Sequence, residues 1–276
     1  MHRTEQRNPL STHMDTMDSE SLSRLIITAN YEAVKATEDA AKDIARAVDA
    51  IAEAFDAGHR LVYVGAGTSG RLGVLDATEC PPTFGVSPEQ VTGIIAGGRE
   101  MMFKASENME DKPDNGAASI VEAGVQAGDV VVGISAAGNA AFVAAAMEQA
   151  KELGCTTVGI ACNPDTLVLK AADIAILTDT GPEVLTGSTR LKAGTAQKIV
   201  LNTLTTAAMA KTGKVYENMM INLRPTNQKL KNRVIGIVRE ITGLAEADAV
   251  QYLEDHQWNI RNAAEAYKRD SEFQNR

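Results

Sequence analysis

Five short apolar runs, each followed by a stretch of helical character, set the strongest limit on how this chain can fold. They are Leu61–Val64, Val91–Ala96, Val130–Ile134, Thr157–Ala161 and Ile174–Leu177. None alternates apolar with polar residues, so these strands must be covered on both faces. Ala-rich helical segments such as Asn139–Leu153 lie between them. Strands alternating with helices imply a parallel sheet with right-handed crossovers. The expected class is therefore α/β, a five-stranded parallel sheet sandwiched by helices. In such sheets ligands bind beyond the carboxyl ends of the strands, and motifs there carry the most weight.

The flanks read as helical. From Tyr31 to Phe55, the residues Ala41, Ile44, Val48, Ile51 and Phe55 recur at spacings of three and four, which makes a core or subunit-interface face. After Thr180 comes a loop rich in glycine and hydroxyls, GPEVLTGSTRLKAG, then a helix from about Thr195 to Lys211. From about Lys229 the pattern suits a three-helix unit with Gly243 and Asn259 at its turns. Two domains are expected: residues 1–228, with the sheet and the N-terminal helices, and residues 229–276, a small helical bundle.

Composition narrows the function. With 44% hydrophobic but only 4% aromatic residues, small side chains must do most of the packing. A net charge of -9 argues against a nucleic-acid partner, because phosphate backbones need a basic surface. No apolar run approaches the roughly 20 residues that span a bilayer, so no membrane partner is expected. The polar start, MHRTEQRNPLSTHMD, lacks the apolar core of a signal peptide. Cys80, Cys155 and Cys162 are an odd number without metal-ligand spacing. A reducing cytoplasm, with neither disulfide nor metal, is the expectation.

The segment Val64-Gly65-Ala66-Gly67-Thr68-Ser69-Gly70-Arg71 follows a strand and opens a helix. Gly65, Gly67 and Gly70 satisfy G-x-G-x-x-G, the dinucleotide fingerprint. That fingerprint also wants a carboxylate about 20 residues on, at the end of the second strand. Here that strand runs into Ala96-Gly97-Gly98 instead. Thr68 and Ser69 place two hydroxyls and several N–H groups at a helix N-terminus, which suits a phosphomonoester. A tight glycine turn without a ligand is the alternative.

Two acidic stretches lie near strand ends: Asp76-Ala77-Thr78-Glu79, ahead of Cys80-Pro81-Pro82, and Ser106-Glu107-Asn108-Met109-Glu110-Asp111. Pro81-Pro82 should end the first helix and hold Glu79 near the mouth of the site. Two carboxylates flanking a sugar can serve as acid and base if their surroundings separate their pKa values; solvated acids are the plain alternative. None of the four histidines is placed to act as a base.

These residues carry a family resemblance. VGAGTSGRLGVLDATECPPTFGV, IIAGG, GPEVLTGSTRLKAGTAQKIVLN and GKVYENMMINLRPTNQKL, with TEQRNP near the start, resemble the matching stretches of N-acetylmuramic acid 6-phosphate etherases. These belong with the sugar isomerase (SIS) domain proteins and are related to glucokinase regulatory proteins. The resemblance implies an SIS-type sheet and a carbon–oxygen lyase that needs no cofactor. Such an enzyme converts MurNAc 6-phosphate and water to GlcNAc 6-phosphate and D-lactate. By motif match, Glu79 is the candidate acid at the leaving ether oxygen and Glu110 the candidate base at C2. Phosphate is expected on Gly67, Thr68, Ser69 and Gly70, helped by Ser188 and Thr189 and by charge from Lys192 or Arg190. The resemblance also implies a homodimer that builds each site from both subunits, and a C-terminal unit like a ubiquitin-associated fold.

One loop departs from the family. Etherases typically read A-A-S-G-R-T-P-Y after the third strand, whereas this chain reads Ser135-Ala136-Ala137-Gly138-Asn139-Ala140-Ala141-Phe142. Ala137, Asn139 and Ala140 replace the serine, arginine and threonine expected there. Each lost hydrogen bond to a charged oxygen typically costs about 1.5–3 kcal/mol. Ser135 can substitute if the loop bends differently. The departure leaves open a non-catalytic, sugar-phosphate-binding regulator as the alternative function.

Overall fold

The structure, a computed structural model, describes residues 2–105, 108–223, 225 and 227–274. The chain divides into two compact units, one of residues 1–78 and 88–208 and the other of residues 79–87 and 209–276.

In the first unit all five expected strands form. They are β1 (Leu61–Gly65), β2 (Val91–Ile95), β3 (Val130–Ile134), β4 (Thr156–Ala161) and β5 (Ile174–Leu177). All pair in parallel in the order β2-β1-β3-β4-β5. Every residue of β1 and β3 is buried, as unbroken apolar runs require, while β2 and β5 at the edges are partly exposed. Leu61 lies level with Val91 on one side and Val130 on the other, and the direction in which the sheet grows reverses at β1. A ligand crevice is expected at that switch, above the ends of β1 and β3. Asp129, fully buried, accepts hydrogen bonds from the Arg60 N–H (3.0 Å) and guanidinium (2.9 Å), locking the starts of these two strands together.

Alternating residues face opposite layers. Val62, Val64 and Val131 pack with Ile120 of α4 (Pro113–Glu122) and with Phe142, Val143 and Met147 of α5 (Ala141–Glu152); Val168 of α6 (Leu167–Ala171) joins them. The other face carries α2 (Ala41–Asp56), against β1, β3 and β5, and the start of α3 (Gly67–Phe84), where a Cβ on Gly73 would lie 2.9 Å from Tyr63 Cβ; α1 (Ser19–Asp39) packs on α2, and α7 (Lys192–Lys211) is bonded to α3. On that side Tyr63 donates to Asp76 of α3 at 2.9 Å, and Asp76 accepts from Asn202 of α7 at 2.6 Å.

The helical pattern over Tyr31–Phe55 is carried by two helices, α1 and α2, with a break at Ala40 (φ -86°, ψ 1°). Alanine favours helix, so the break comes from packing: α2 buries Ile44, Ala47, Val48 and Ile51 against the sheet. Pro81-Pro82 do not end α3, which continues to Phe84. Proline removes a hydrogen bond donor but keeps a helical φ, and the Gly85 N–H closes the turn onto the Pro81 carbonyl at 2.9 Å. Finally, α7 starts at Lys192, before Thr195, because Glu183 accepts from the N–H groups of Lys192 (3.0 Å) and Ala193 (2.9 Å). A carboxylate at that end complements the helix dipole.

The second unit contains α8 (Gln228–Thr242), α9 (Glu246–Asp255) and α10 (Ile260–Gln274). Asn227 caps α8 by accepting from the Leu230 N–H, and Gly243 ends it in the left-handed region (φ 74°). Val234, Val238, Leu253, Ile260 and Ala263 form its core with Ile221 and Leu223. Among the described residues no helix is long and apolar enough to cross a membrane.

Candidate functional site

A cavity of about 300 Å³ lies in the first unit at the β1/β3 switch. Ala66, Gly67, Thr68 and Ser69 line it after β1, Ile134 to Ala137 after β3, and Gly187 and Thr189 from the loop ahead of α7. Two acids, Glu5 and Glu110, complete the wall, and neither lysine nor arginine is among the lining residues.

The first loop is built for close approach. A Cβ on Gly70 would sit 2.6 Å from the Gly65 carbonyl, and one on Gly65 would sit 2.6 Å from the Gly70 nitrogen. Only glycine at both positions lets α3 start so near the end of β1. The N–H groups of Gly67, Thr68 and Ser69 fall in the first turn of α3, where helical partners are lacking. That turn is a neutral cradle for an anion. The buried Ser69 donates its Oγ–H to Gln197 Oε1 of α7 at 3.0 Å, while Gln197 Nε2, also buried, has no partner among the described residues. With the amide turned over, Nε2 would donate to Ser69 and free the serine proton for a ligand oxygen.

The second loop is tied down without the residues typical of the family. Ser135 Oγ accepts from the Gly138 N–H at 3.0 Å, which leaves its own proton available to the cavity. The loop is also held through the Ala136 carbonyl by Cys162 N–H (2.9 Å) and through the Ala137 carbonyl by Asn163 Nδ2 (3.2 Å). Asn139, at the arginine position, is not a lining residue: its Oδ1 accepts from the Leu167 N–H at 3.2 Å and its Nδ2 lies 2.8 Å from His2 Nε2.

The other expected residues are dispersed. Gly70 lies behind the cradle, with its N–H on the Ala66 carbonyl at 3.2 Å. Ser188 is half-buried beside Gly187 and Thr189 without lining the cavity, and Arg190 is exposed. Lys192 is 1% exposed and forms an ion pair with Glu32 of α1. Its buried neighbour Glu183 is held above the usual carboxyl range by burial, in spite of the two N–H groups it accepts.

Glu110 lines the cavity with an exposed side chain, and its carbonyl accepts from the Phe142 N–H at 2.9 Å, at the start of α5. Ser106 and Glu107 of the same acidic stretch lie outside the described residues. Glu79 is exposed on α3 and is not a lining residue. Glu5, Gln197 and Glu183 were not singled out by local pattern, although Glu5 lies within TEQRNP and Glu183 and Gln197 lie within GPEVLTGSTRLKAGTAQKIVLN, stretches that carry the family resemblance. Among the described residues no group of three His, Cys, Asp or Glu side chains could hold a metal ion.

Sequence comparison accounts for this arrangement. Residues 43–151 match the glucokinase regulatory protein N-terminal SIS domain, 105–207 the SIS domain and 239–270 a UBA-like domain. An N-acetylmuramic acid 6-phosphate etherase of Pasteurella multocida is 50% identical over 250 residues, covering 91% of this chain and 83% of that protein. The chain belongs to the N-acetylmuramic acid 6-phosphate etherase family. The Salinibacter ruber etherase is 51% identical, covering 90% of this chain and 80% of its own length. Solved structures agree on the fold alone. A putative phosphosugar isomerase of Bacteroides fragilis has a TM-score of 0.52 at 21% identity, covering 72% of this chain and 93% of its own. A phosphoheptose isomerase of Francisella tularensis has a TM-score of 0.50 at 16% identity, covering 70% and 100%. Within the etherase family, then, the cavity at the β1/β3 switch is the candidate active site.

Proposed function

We propose that this etherase-family chain cleaves the lactyl ether of MurNAc 6-phosphate, giving GlcNAc 6-phosphate and D-lactate. The observation that carries the reading is Glu110 in one cavity with a hydroxyl and N–H cradle, in a chain half identical to etherases. The phosphate rests on the α3 N-terminus, Thr68, Ser69 and Ser135, with Thr189 across the cavity. Neutral donors at a helix start hold a dianion without a cationic side chain.

In the open-chain sugar the C1 aldehyde acidifies the C2 proton. Glu110 takes that proton, electrons move into a C2–C3 double bond, and the C3–O bond breaks as an acid protonates the departing lactate oxygen. Water then adds, hydroxyl to C3 and proton to C2, so both carboxyl groups return to their starting states. Glu79 is the acid in this scheme. By the same family resemblance a second copy supplies it, in a homodimer with shared sites. An apolar stripe on α1 favours such pairing: Ile27, Tyr31 and Val34 are 66%, 72% and 52% exposed and share one helical face. The reaction belongs in the cytoplasm, which suits three buried cysteines held outside any disulfide.

The test is to incubate the protein with MurNAc 6-phosphate and assay D-lactate, with Glu110→Gln and Glu79→Gln alongside. Lactate from the parent and a loss of roughly a hundredfold or more in each variant is expected for acid–base groups. Sugar phosphate bound by the parent with no lactate released would replace the lyase by a regulator on the same fold.

A further inference from the structure

The N-terminal arm is pinned across the ends of the strands. Arg3 forms an ion pair with Asp179, just beyond β5. Thr4, fully buried, gives its N–H to Asn163 Oδ1 (3.3 Å) and accepts from Asn163 Nδ2 (3.0 Å). That same Nδ2 reaches the Ala137 carbonyl of the cavity wall at 3.2 Å. His2 contacts Asn139 at 2.8 Å, and the buried Asn8 donates to the Pro182 carbonyl at 3.2 Å. The chain between these anchors has little freedom left.

Glu5 sits in the middle of the arm and faces the cavity. Among the described residues no side chain or N–H group pairs with its carboxylate. A Cβ built on Gly187, across the opening, would lie 3.2 Å from Glu5 Oε2. An unpaired anion beside an anion cradle weakens binding of a bare phosphate. The placement makes sense when the ligand presents donors there, because a carboxylate is an acceptor only. The sugar carries those donors.

We propose that Glu5 is a substrate-positioning residue, whose carboxylate accepts hydrogen bonds from hydroxyl groups of the sugar while the phosphate rests on the Thr68–Ser69 cradle. The arm is then a fixed wall of the site, and Glu5 selects polyhydroxylated sugar phosphates over smaller phosphate esters. This rests on the sugar-phosphate reading above. It differs from the Glu110 role in moving no proton.

The experiment compares GlcNAc 6-phosphate with inorganic phosphate by calorimetry, for the parent, Glu5→Gln and Glu5→Ala. Losing a hydrogen bond to a charged group weakens GlcNAc 6-phosphate roughly ten- to hundredfold in Glu5→Ala. Glu5→Gln, which keeps one acceptor, falls between Glu5→Ala and the parent. Inorganic phosphate binds both variants as tightly as the parent or tighter, melting temperatures stay unchanged, and KM for MurNAc 6-phosphate rises more than kcat falls. Unchanged GlcNAc 6-phosphate affinity in Glu5→Ala overturns the proposal and leaves the etherase reading intact. Parallel losses of phosphate affinity and melting temperature also overturn it, since the arm would then be merely structural. A parent that binds neither ligand sinks the sugar-phosphate reading itself, and Glu5 with it.

Discussion

Ser69 Oγ gives its proton to Gln197 Oε1 at 3.0 Å, so the cradle after β1 is braced by a helix that enters the chain well over a hundred residues later. Both side chains are buried. Ser69→Ala leaves the Gln197 amide without a partner on either atom and should lower stability by about 1–3 kcal/mol. Ser69→Ala with Gln197→Leu removes both groups and should recover much of that loss in urea unfolding. Phosphate affinity should stay low in the double variant, because the hydroxyl is gone. A double variant as unstable as the sum of the singles would mean that the two side chains do not act as a pair.

Arg60 and Asp129 hold the starts of β1 and β3, and Asp129 has no exposed surface. Arg60→Ala strands a buried carboxylate, for which a cost of about 3 kcal/mol is expected. Chemical denaturation reads this as a lower midpoint with an unchanged slope. A change under about 1 kcal/mol would show that the backbone N–H groups suffice for Asp129.

The strands were legible because Val- and Ile-rich runs apolar at every position have few other uses in a chain this polar. Lys192 shows where local reading stops. Beside Arg190 in a hydroxyl-rich loop it reads as a charge near phosphate, yet its ammonium meets Glu32, 160 residues earlier. Glu5 was hidden for the same reason: Asn163 and Asp179 place it, and neither contact leaves a trace in local pattern. The break at Ala40 had no signal either, since alanine is the residue least expected to interrupt a helix.

Glu183 sets a pH dependence. Burial raises its folded-state value above its ordinary 4.5. The folded protein therefore holds this proton more tightly than the unfolded chain does. The stabilisation is complete below the ordinary value and is lost as pH rises through the raised one. Glu183→Gln should flatten this part of a plot of melting temperature against pH. Parallel curves for parent and variant would assign the dependence to another group.

Burial pushes the Cys155 and Cys162 thiols up to about 11. At a pH of about 8 both are protonated and covered, so a disulfide-exchange reagent should react slowly with the folded protein and quickly with all three cysteines after unfolding. Fast reaction at Cys162 in the folded state would mean that the region around β4 opens readily.

Shared sites make a prediction that no single-chain site can match. Each copy would lend Glu79 to its partner and keep Glu110 for itself. Co-expressing Glu79→Gln and Glu110→Gln chains under different tags, then purifying on both tags, yields heterodimers. One site in each then receives both substitutions, and the other receives neither. Such heterodimers should release lactate at about half the parental rate, although either variant alone is inactive. If both glutamates serve the same chain, every site carries one lesion and the heterodimer stays as inactive as its parents. A charge placed on the α1 stripe, as in Tyr31→Glu, should then leave monomers and abolish turnover without unfolding the sheet, because Tyr31 is 72% exposed in the single chain. A monomeric Tyr31→Glu protein with full activity would reject the shared site outright.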